Sequence, residues 1–374
     1  MKRVSLIQVG FGTVGGVLLE QVMRQHDRWC QEFELDIRIA AVAGRAGAIV
    51  ANDLEVGLAE AELRIMLDHR RGVRDAEPLA RALEPVRDAV ERVCAKSASG
   101  SQVTIVLDAA AGEETVGLLT TALAHGAGVV LSNKAPLALP MSDPSSQTLW
   151  AAAEREQLRY EATCGAGLPV ISTLRGLVDS GDRVLEVTGC LSGTLGAIFS
   201  MVAAGESFSE AVRDAKARGY TEPDPRDDLS GLDVARKALI LARTMGIDLD
   251  LSDVDVHSLI PAGLADVSVS EFMERISVED SEISAMGARA QADGAALKYV
   301  AKVIPGSERI ASVGLSEVPA STMLGALQGP ENIISFRTER YDEYPLVVAG
   351  PGAGAEVTAA GMVVDMLAIA QKLG

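Results

Sequence analysis

The chain has 374 residues, of which 48% are hydrophobic and 23% charged. That balance excludes a disordered chain, and the length exceeds what one ordinary core fills, so two domains are expected. A formal net charge of −18 argues against nucleic acid or an anionic membrane as the main partner. It leaves room for an anionic cofactor, because a helix N-terminus and a few cations hold phosphate locally. Cys30, Cys94, Cys164 and Cys190 are scattered and form no CxxC. Neither a disulfide framework nor a zinc site is therefore expected, and reduced thiols in a cytoplasm are. No run approaches the roughly 18 apolar residues of a membrane span.

Residues 4–9 (VSLIQV) read as a buried strand, and Gly10-Phe11-Gly12-Thr13-Val14-Gly15 follows at once. An apolar helix is expected over about 14–25. GxGxxG thus lies between a strand and a helix, the context that dinucleotide binding requires. Gly10 permits the tight turn, Gly12 lets backbone approach a pyrophosphate, and Gly15 lets helix pack on strand. The alternative is a glycine-rich turn in an α/β core. A second strand is expected at 35–42. Asp36 opens that strand, at the wrong end to hold ribose hydroxyls. Arg45 follows the far end, where a guanidinium suits adenine stacking and a 2′-phosphate. NADP is therefore favoured over NAD, with a solvated arginine as the alternative.

Residues 46–101 read as an elaborated crossover, with helical patterns at 54–67 and 80–93. A turn at 100–102 should lead into a strand at 103–107 that ends at Asp108. A helix at 115–125 and a strand at 129–131 continue the βαβ alternation of a doubly wound parallel sheet. Ser132-Asn133-Lys134 then stands past the carboxyl end of a parallel strand, where such sheets bind ligands. Lys134 is a candidate site residue there, against a plain surface lysine.

Residues 142–152 are expected to link the two domains, with a helix over 147–156. Glu161-Ala162-Thr163-Cys164-Gly165-Ala166-Gly167-Leu168-Pro169 brings backbone close to something, either a ligand or a neighbouring element. A helix at 171–179, a strand at 184–190 and the turn Leu191-Ser192-Gly193-Thr194 follow. Ser207 and Glu210 form a capping box for a helix over 207–218.

The most distinctive stretch is Gly219–Lys237, GYTEPDPRDDLSGLDVARK. Pro223 and Pro225 should keep 222–226 stiff and extended. Ser230 reads as the N-cap of a helix to about Thr244, with Asp233 as its capping-box partner and Gly246 as its C′ residue. Asp233 and Lys237 share one helical face. An acidic arm leading to an Asp/Lys pair suits a zwitterionic substrate, whose ammonium the carboxylates hold and to which the lysine delivers a proton. A cap, a surface salt bridge and a solvated loop fit the spacing too, and a carboxylate metal site is a further alternative. Strands are expected at 298–303, 309–313 and 314–318, then at 333–338 and 346–349. Glycine-rich 350–358 opens a final helix, 356–371.

YTEPDPRDDLSGLDVARK resembles the signature segment of homoserine dehydrogenases. GFGTVG, SNKAP, EATCGAGLP, LSGTL and GPGAGAEVTAAG match further family elements in the correct order. The resemblance implies a Rossmann-type doubly wound sheet (1–150, completed by 345–374) and an α+β substrate and dimerisation domain (151–344). It implies reduction of L-aspartate 4-semialdehyde to L-homoserine with NADP(H) or NAD(H), in threonine, methionine and isoleucine biosynthesis. It places Lys134, Asn133 and Gly352 at the nicotinamide end and Gly193 and Thr194 at the substrate. It also implies a monovalent cation, sodium or potassium, on the backbone carbonyls of Glu161, Cys164, Ala166 and Leu168. Cys164 stands where a β-branched residue is expected, a change that a carbonyl ligand tolerates. Spacer helices are implied at 252–264 and 270–275, and a homodimer through the late strands. Neither a fused kinase nor a C-terminal regulatory domain is expected. Lys237 is the first choice for proton donor, with Lys134 next, Asp233 orienting, and Glu222 and Asp228 holding the ammonium. A different amino-acid oxidoreductase would share GFGTVG and need not share the acidic signature, and an NADP-binding regulator would tolerate loss of Lys237 without loss of cofactor binding.

Overall fold

The computed structural model describes residues 1–73, 81–97 and 102–373. In chain order, the first part holds β1 (Lys2–Val9), α1 (Thr13–Phe33), β2 (Leu35–Gly44), β3 (Gly47–Val50), α2 (Glu60–Arg71) and α3 (Val86–Ser97). It continues with β4 (Val103–Asp108), α4 (Val116–Ala124), β5 (Gly128–Leu131), α5 (Pro144–Glu154) and β6 (Leu158–Arg159). The second part holds α6 (Val170–Asp179), β7 (Val184–Cys190), α7 (Gly193–Ala203), α8 (Phe208–Ala217), α9 (Arg226–Leu229) and α10 (Leu232–Thr244). After these come β8 (Asp255–Val256), α11 (Val269–Arg275), α12 (Asp280–Ala292), β9 (Ala295–Val303), β10 (Ala311–Pro319), α13 (Met323–Ala326), β11 (Glu331–Thr338) and β12 (Leu346–Pro351). A C-terminal helix, Ala355–Lys372, closes the chain.

These elements form two compact units: 1–167 with 354–374, and 168–353. The first unit is built on one sheet, ordered β3-β2-β1-β4-β5-β6. All pairs are parallel except the β2–β3 hairpin. Strands β4 and β5 are mostly Val, Ile and Leu, and β1 is buried at every residue from Val4 to Val9, as a sheet covered on both faces demands. The second unit carries a mixed sheet, β12-β11-β7-β9-β10-β8, whose only parallel pair is β8–β10. The molecule is thus an α/β chain with a Rossmann-type doubly wound unit and an α+β unit. Among the described residues no helix is long and apolar enough to cross a membrane, and all four cysteines are free.

Several elements differ from expectation, each for a local reason. Helix α1 runs on to Phe33 because Leu18, Val22 and Trp29 keep one buried face through the polar run at 24–28. Strand β3 pairs with β2 across the two-residue turn Arg45-Ala46, too short to leave a periodic signal of its own. The two crossover helices begin at Glu60 and Val86, later than their apolar patterns. Ala80, Gly100 and Ser101, where a helix and a turn were expected to begin, lie outside the described residues. The expected linker is helical from Pro144, capped by the Asp143 carboxylate accepting from Ser145 N at 2.7 Å.

In the acidic segment the extended arm is shorter than expected. Asp224 Oδ1 accepts from Arg226 N at 3.0 Å, and Pro225 sits in helical backbone before α9. Proline fits the first turn of a helix, so the chain coils as soon as Asp224 supplies the cap. Ser230 consequently ends α9, and Gly231 at φ 74° is the N-cap of α10. A Cβ on Gly231 would lie 2.1 Å from the Tyr299 hydroxyl, so only glycine makes this break. Residues 252–264 form no spacer helix. A 3₁₀ turn, Leu251–Asp253, leads into β8, which the alternation Val254-Asp255-Val256 already carries. Strand β10 is continuous where two strands were expected.

Candidate active site

In the first unit the carboxyl ends of three strands are level. Val9 of β1 pairs with Asp108 of β4, which pairs with Leu131 of β5. The loops that follow therefore share one edge, at the point where strand order reverses. Ala109 N donates to Val9 O at 2.8 Å and Ser132 N to Asp108 O at 3.0 Å. Gly10 (φ 93°) packs so closely that a Cβ would stand 2.5 Å from Ala109 backbone. A Cβ on Gly15 would stand 2.1 Å from Gly10 O, and Gln8 Nε2 ties that turn by donating to the carbonyls of Gly10 and Gly15. Gly12, by contrast, faces open space. The loop is closed where it meets protein and open at the N-terminus of α1, where Phe11, Thr13 and Val14 also lie. This cradle fits the pyrophosphate of a dinucleotide.

Asn133 is buried and acts as a latch. Its Nδ2 donates to Gly112 O (2.8 Å) and Asp108 Oδ2 (3.2 Å), and its Oδ1 accepts from Ala135 N (3.1 Å). Asp108 is fully buried, and that burial pushes its carboxyl pKa up against the bonds from Thr115, Ala110 and Asn133. Lys134 follows the latch and is half-buried. Arg45 is exposed at the tip of the β2–β3 hairpin. Asp36 lies at the other end of β2 and pairs with His26 (3.1 Å) and Arg38 (2.5 Å). Cys30 Sγ lies 3.7 Å from His26 Nε2, completing a His–Cys–Asp group. Two arginines, Arg38 and Arg3, already neutralise its carboxylate.

Glu161 and Cys164 are buried, and Glu161 N donates to Asp365 Oδ2 at 2.7 Å. Ala166 takes φ 56°, one of three non-glycine residues with positive φ among those described. Leu168 belongs to the second unit, where its carbonyl accepts from Val170 N at 2.8 Å.

The second unit joins most of the remaining candidates. Lys237 is buried in α10, at 8% exposure, and its Nζ donates to Leu191 O at 2.6 Å and to Asp233 Oδ2 at 2.8 Å. Leu191 precedes Ser192, whose Oγ caps α7 by accepting from Leu195 N, so Gly193 and Thr194 form the first turn. Thr194 Oγ1 donates to Tyr220 O at 2.6 Å, tying that turn to the acidic segment. There Glu222 N donates to Asp228 Oδ2 at 2.8 Å. Burial raises the Asp228 pKa, and the neighbouring carboxylate of Asp233 raises it further. Asp224 stands apart: Arg226 pairs with it at 2.6 Å and depresses its pKa. Arg226 also donates to Ala265 O and Val267 O, each at 2.7 Å, so it clips the segment to the 264–267 loop.

Two features escaped the sequence reading. Asn332, in strand β11, is fully buried, and neither its Nδ2 nor its Oδ1 has a partner. It packs against Gly352, where a Cβ would stand 1.9 Å from its Cγ. Arg70, in an uninformative stretch, reaches the glycine loop and lies against Gly16. No sequence motif marks either residue.

The family model for homoserine dehydrogenase matches residues 169–367, and the model for the homoserine dehydrogenase NAD-binding domain matches 10–162. A homoserine dehydrogenase of Emericella nidulans is 42% identical over 67% of this chain and 71% of its own. The bifunctional aspartokinase/homoserine dehydrogenase 1 of Arabidopsis thaliana, a chloroplast protein, is 37% identical over 98% of this chain. The chain spans 38% of that relative's length. The crystal structure of a putative homoserine dehydrogenase from Archaeoglobus fulgidus is 25% identical, with a TM-score of 0.73 and 99% coverage of both chains.

Proposed function

The chain belongs to the homoserine dehydrogenase family, and we propose that it interconverts L-aspartate 4-semialdehyde and L-homoserine by hydride transfer with NADP(H). The reaction serves threonine, methionine and isoleucine biosynthesis. The first unit holds the cofactor, on Gly10–Gly15, with Asn133 and Lys134 at the nicotinamide end. The second holds the substrate, and Gly352 is assigned to the nicotinamide end as well. Bound NADPH supplies the hydride that reduces the aldehyde carbon. Negative charge then develops on the carbonyl oxygen, and a buried acid beside it lowers the barrier.

Lys237 is that acid. The observation that carries this is its burial with two Nζ contacts, Leu191 O and Asp233. They fix the direction of the ammonium, a group able to donate a proton to the developing oxyanion. Asp233 orients Lys237, and Glu222 and Asp228 hold the substrate ammonium beside the Gly193-Thr194 turn. Lys134 is the second candidate donor. Absorbance at 340 nm with homoserine and NADP tests the reading. Lys237→Met should lower kcat by about 10²–10⁴-fold with cofactor affinity intact. A larger loss in Lys134→Met than in Lys237→Met would transfer the role to Lys134. No turnover by the wild type would refute the activity.

NADP over NAD rests on Arg45, free at the hairpin tip, and on an Asp36 already paired at the far end of β2. Arg45→Ala should raise the KM for NADP about tenfold and leave that for NAD unchanged. The monovalent cation is assigned to the backbone carbonyls of Glu161, Cys164, Ala166 and Leu168. The left-handed backbone at Ala166 supports it, since such strain gathers at functional sites. Activity unchanged on removing sodium and potassium would refute it. A cytoplasmic homodimer completes the reading, and light scattering that gives a monomer mass would refute the dimer.

A further inference from the structure

We propose that Arg70, from helix α2, is a cofactor-binding residue that clamps the dinucleotide pyrophosphate against the N-terminus of α1. The guanidinium lies against Gly16: a Cβ there would stand 2.0 Å from Arg70 Nε, 2.3 Å from Cζ and 2.7 Å from Cδ. Glycine at 16 therefore makes the room that the guanidinium fills. Arg70 Nη1 is 3.5 Å from Gly12 O, the carbonyl of the α1 N-cap. Arg71 anchors the same end of α2 to α1 through Glu20, at 2.8 Å.

The placement runs against simple electrostatics. The first turn of a helix carries partial positive charge, so a cation gains nothing there by itself. Among the described residues no carboxylate pairs with Arg70, and its Nε is buried without an acceptor. Two positive features converge beside Gly12, which faces open space. An anion at that point satisfies both, and a guanidinium fork matches phosphate oxygens. The phosphate is the pyrophosphate, because Arg70 stands at the glycine loop, whereas the 2′-phosphate is assigned to Arg45 on the β2–β3 hairpin.

The inference rests on the reading of this unit as the cofactor domain, and calorimetric titration of the full chain with NADPH and with NADH separates the two. Arg70→Met keeps the stem that packs on Gly16 and removes the charge. It should weaken NADPH and NADH alike, by about tenfold to a hundredfold, with an unchanged melting temperature. Arg70→Lys keeps the charge without the fork and should fall between, which decides the matter should the methionine variant not fold. Wild-type affinity for both cofactors in these variants overturns the proposal. So does a loss confined to NADPH, which would assign Arg70 to the 2′-phosphate. A wild type that binds neither cofactor refutes the cofactor domain itself.

Discussion

The two candidate binding regions are built on different principles. The glycine loop of the first unit offers backbone: open space at Gly12, a helix N-terminus, and glycines wedged against Ala109 and Gly10. The acidic segment of the second unit offers side chains, and most of its charges are already engaged. Asp224 is held by Arg226, Asp233 by Lys237, and Asp228 by the Glu222 amide. A backbone site tolerates almost no added atom. A side-chain site depends on which charges its neighbours have left available.

The largest expected effect breaks the backbone side of the comparison. Gly15→Val puts a Cβ 2.1 Å from Gly10 O, so the turn must open. Cofactor binding should fall below detection in calorimetry, and overpacking should cost about 1–3 kcal/mol in urea denaturation. Retained NADPH affinity would show that the loop adapts, and the contrast with the second unit would fail.

Asp228 and Asp224 sharpen the other side, because four residues apart they respond to pH with opposite sign. The folded-state pKa of Asp228 is raised, chiefly by burial. Its native form binds the proton more tightly than the unfolded chain, so this group loses stability as pH rises through the interval above the ordinary carboxylate value. Asp228→Asn removes that penalty and should melt no lower than wild type at neutral pH. With Asp228 as the proposed partner of the substrate ammonium, the same variant should raise the KM for homoserine about tenfold. An unchanged KM would exclude Asp228 from the substrate.

The smallest expected effect on activity is that of Asp224→Asn, whose KM for homoserine should stay within about twofold of wild type. Its cost is to stability. The Arg226 hydrogen bonds hold the Asp224 pKa below the ordinary value, so the carboxylate stabilises the fold above that value and stops doing so as pH falls through its depressed pKa. Melting curves from pH 7 down to about pH 2 should show the variant less stable near neutrality and converging with wild type in acid. A KM that rises as much as in Asp228→Asn would mean that Arg226 does not withdraw Asp224 from the substrate.

These regions also differ in how far they were legible. Strand β7 was expected with its observed bounds, and so was the Ser207–Glu210 capping box, because alternation and cap chemistry act within a few residues. The Asp233–Lys237 pair was legible for the same reason, being one helical turn apart. The start of α9 was not, because the Asp224 cap on Arg226 competes with the extended preference before proline. Strands β3 and β6 are four and two residues long. Strands so short exist only through their partners across the sheet.

The sequence by itself determined the family, the glycine loop and the lysines, since those depend on residue types at fixed short spacing. The tertiary structure alone decided how the acidic segment divides its carboxylates, because Arg226, the Glu222 amide and the burial of Asp228 each act through contacts that spacing does not encode. It also decided that Arg70, 58 residues from Gly12 along the chain, lies beside the α1 N-terminus. No periodicity in 54–67 or 80–93 carries that information, because α2 meets α1 through contacts between residues far apart in the chain, such as the Arg71–Glu20 ion pair.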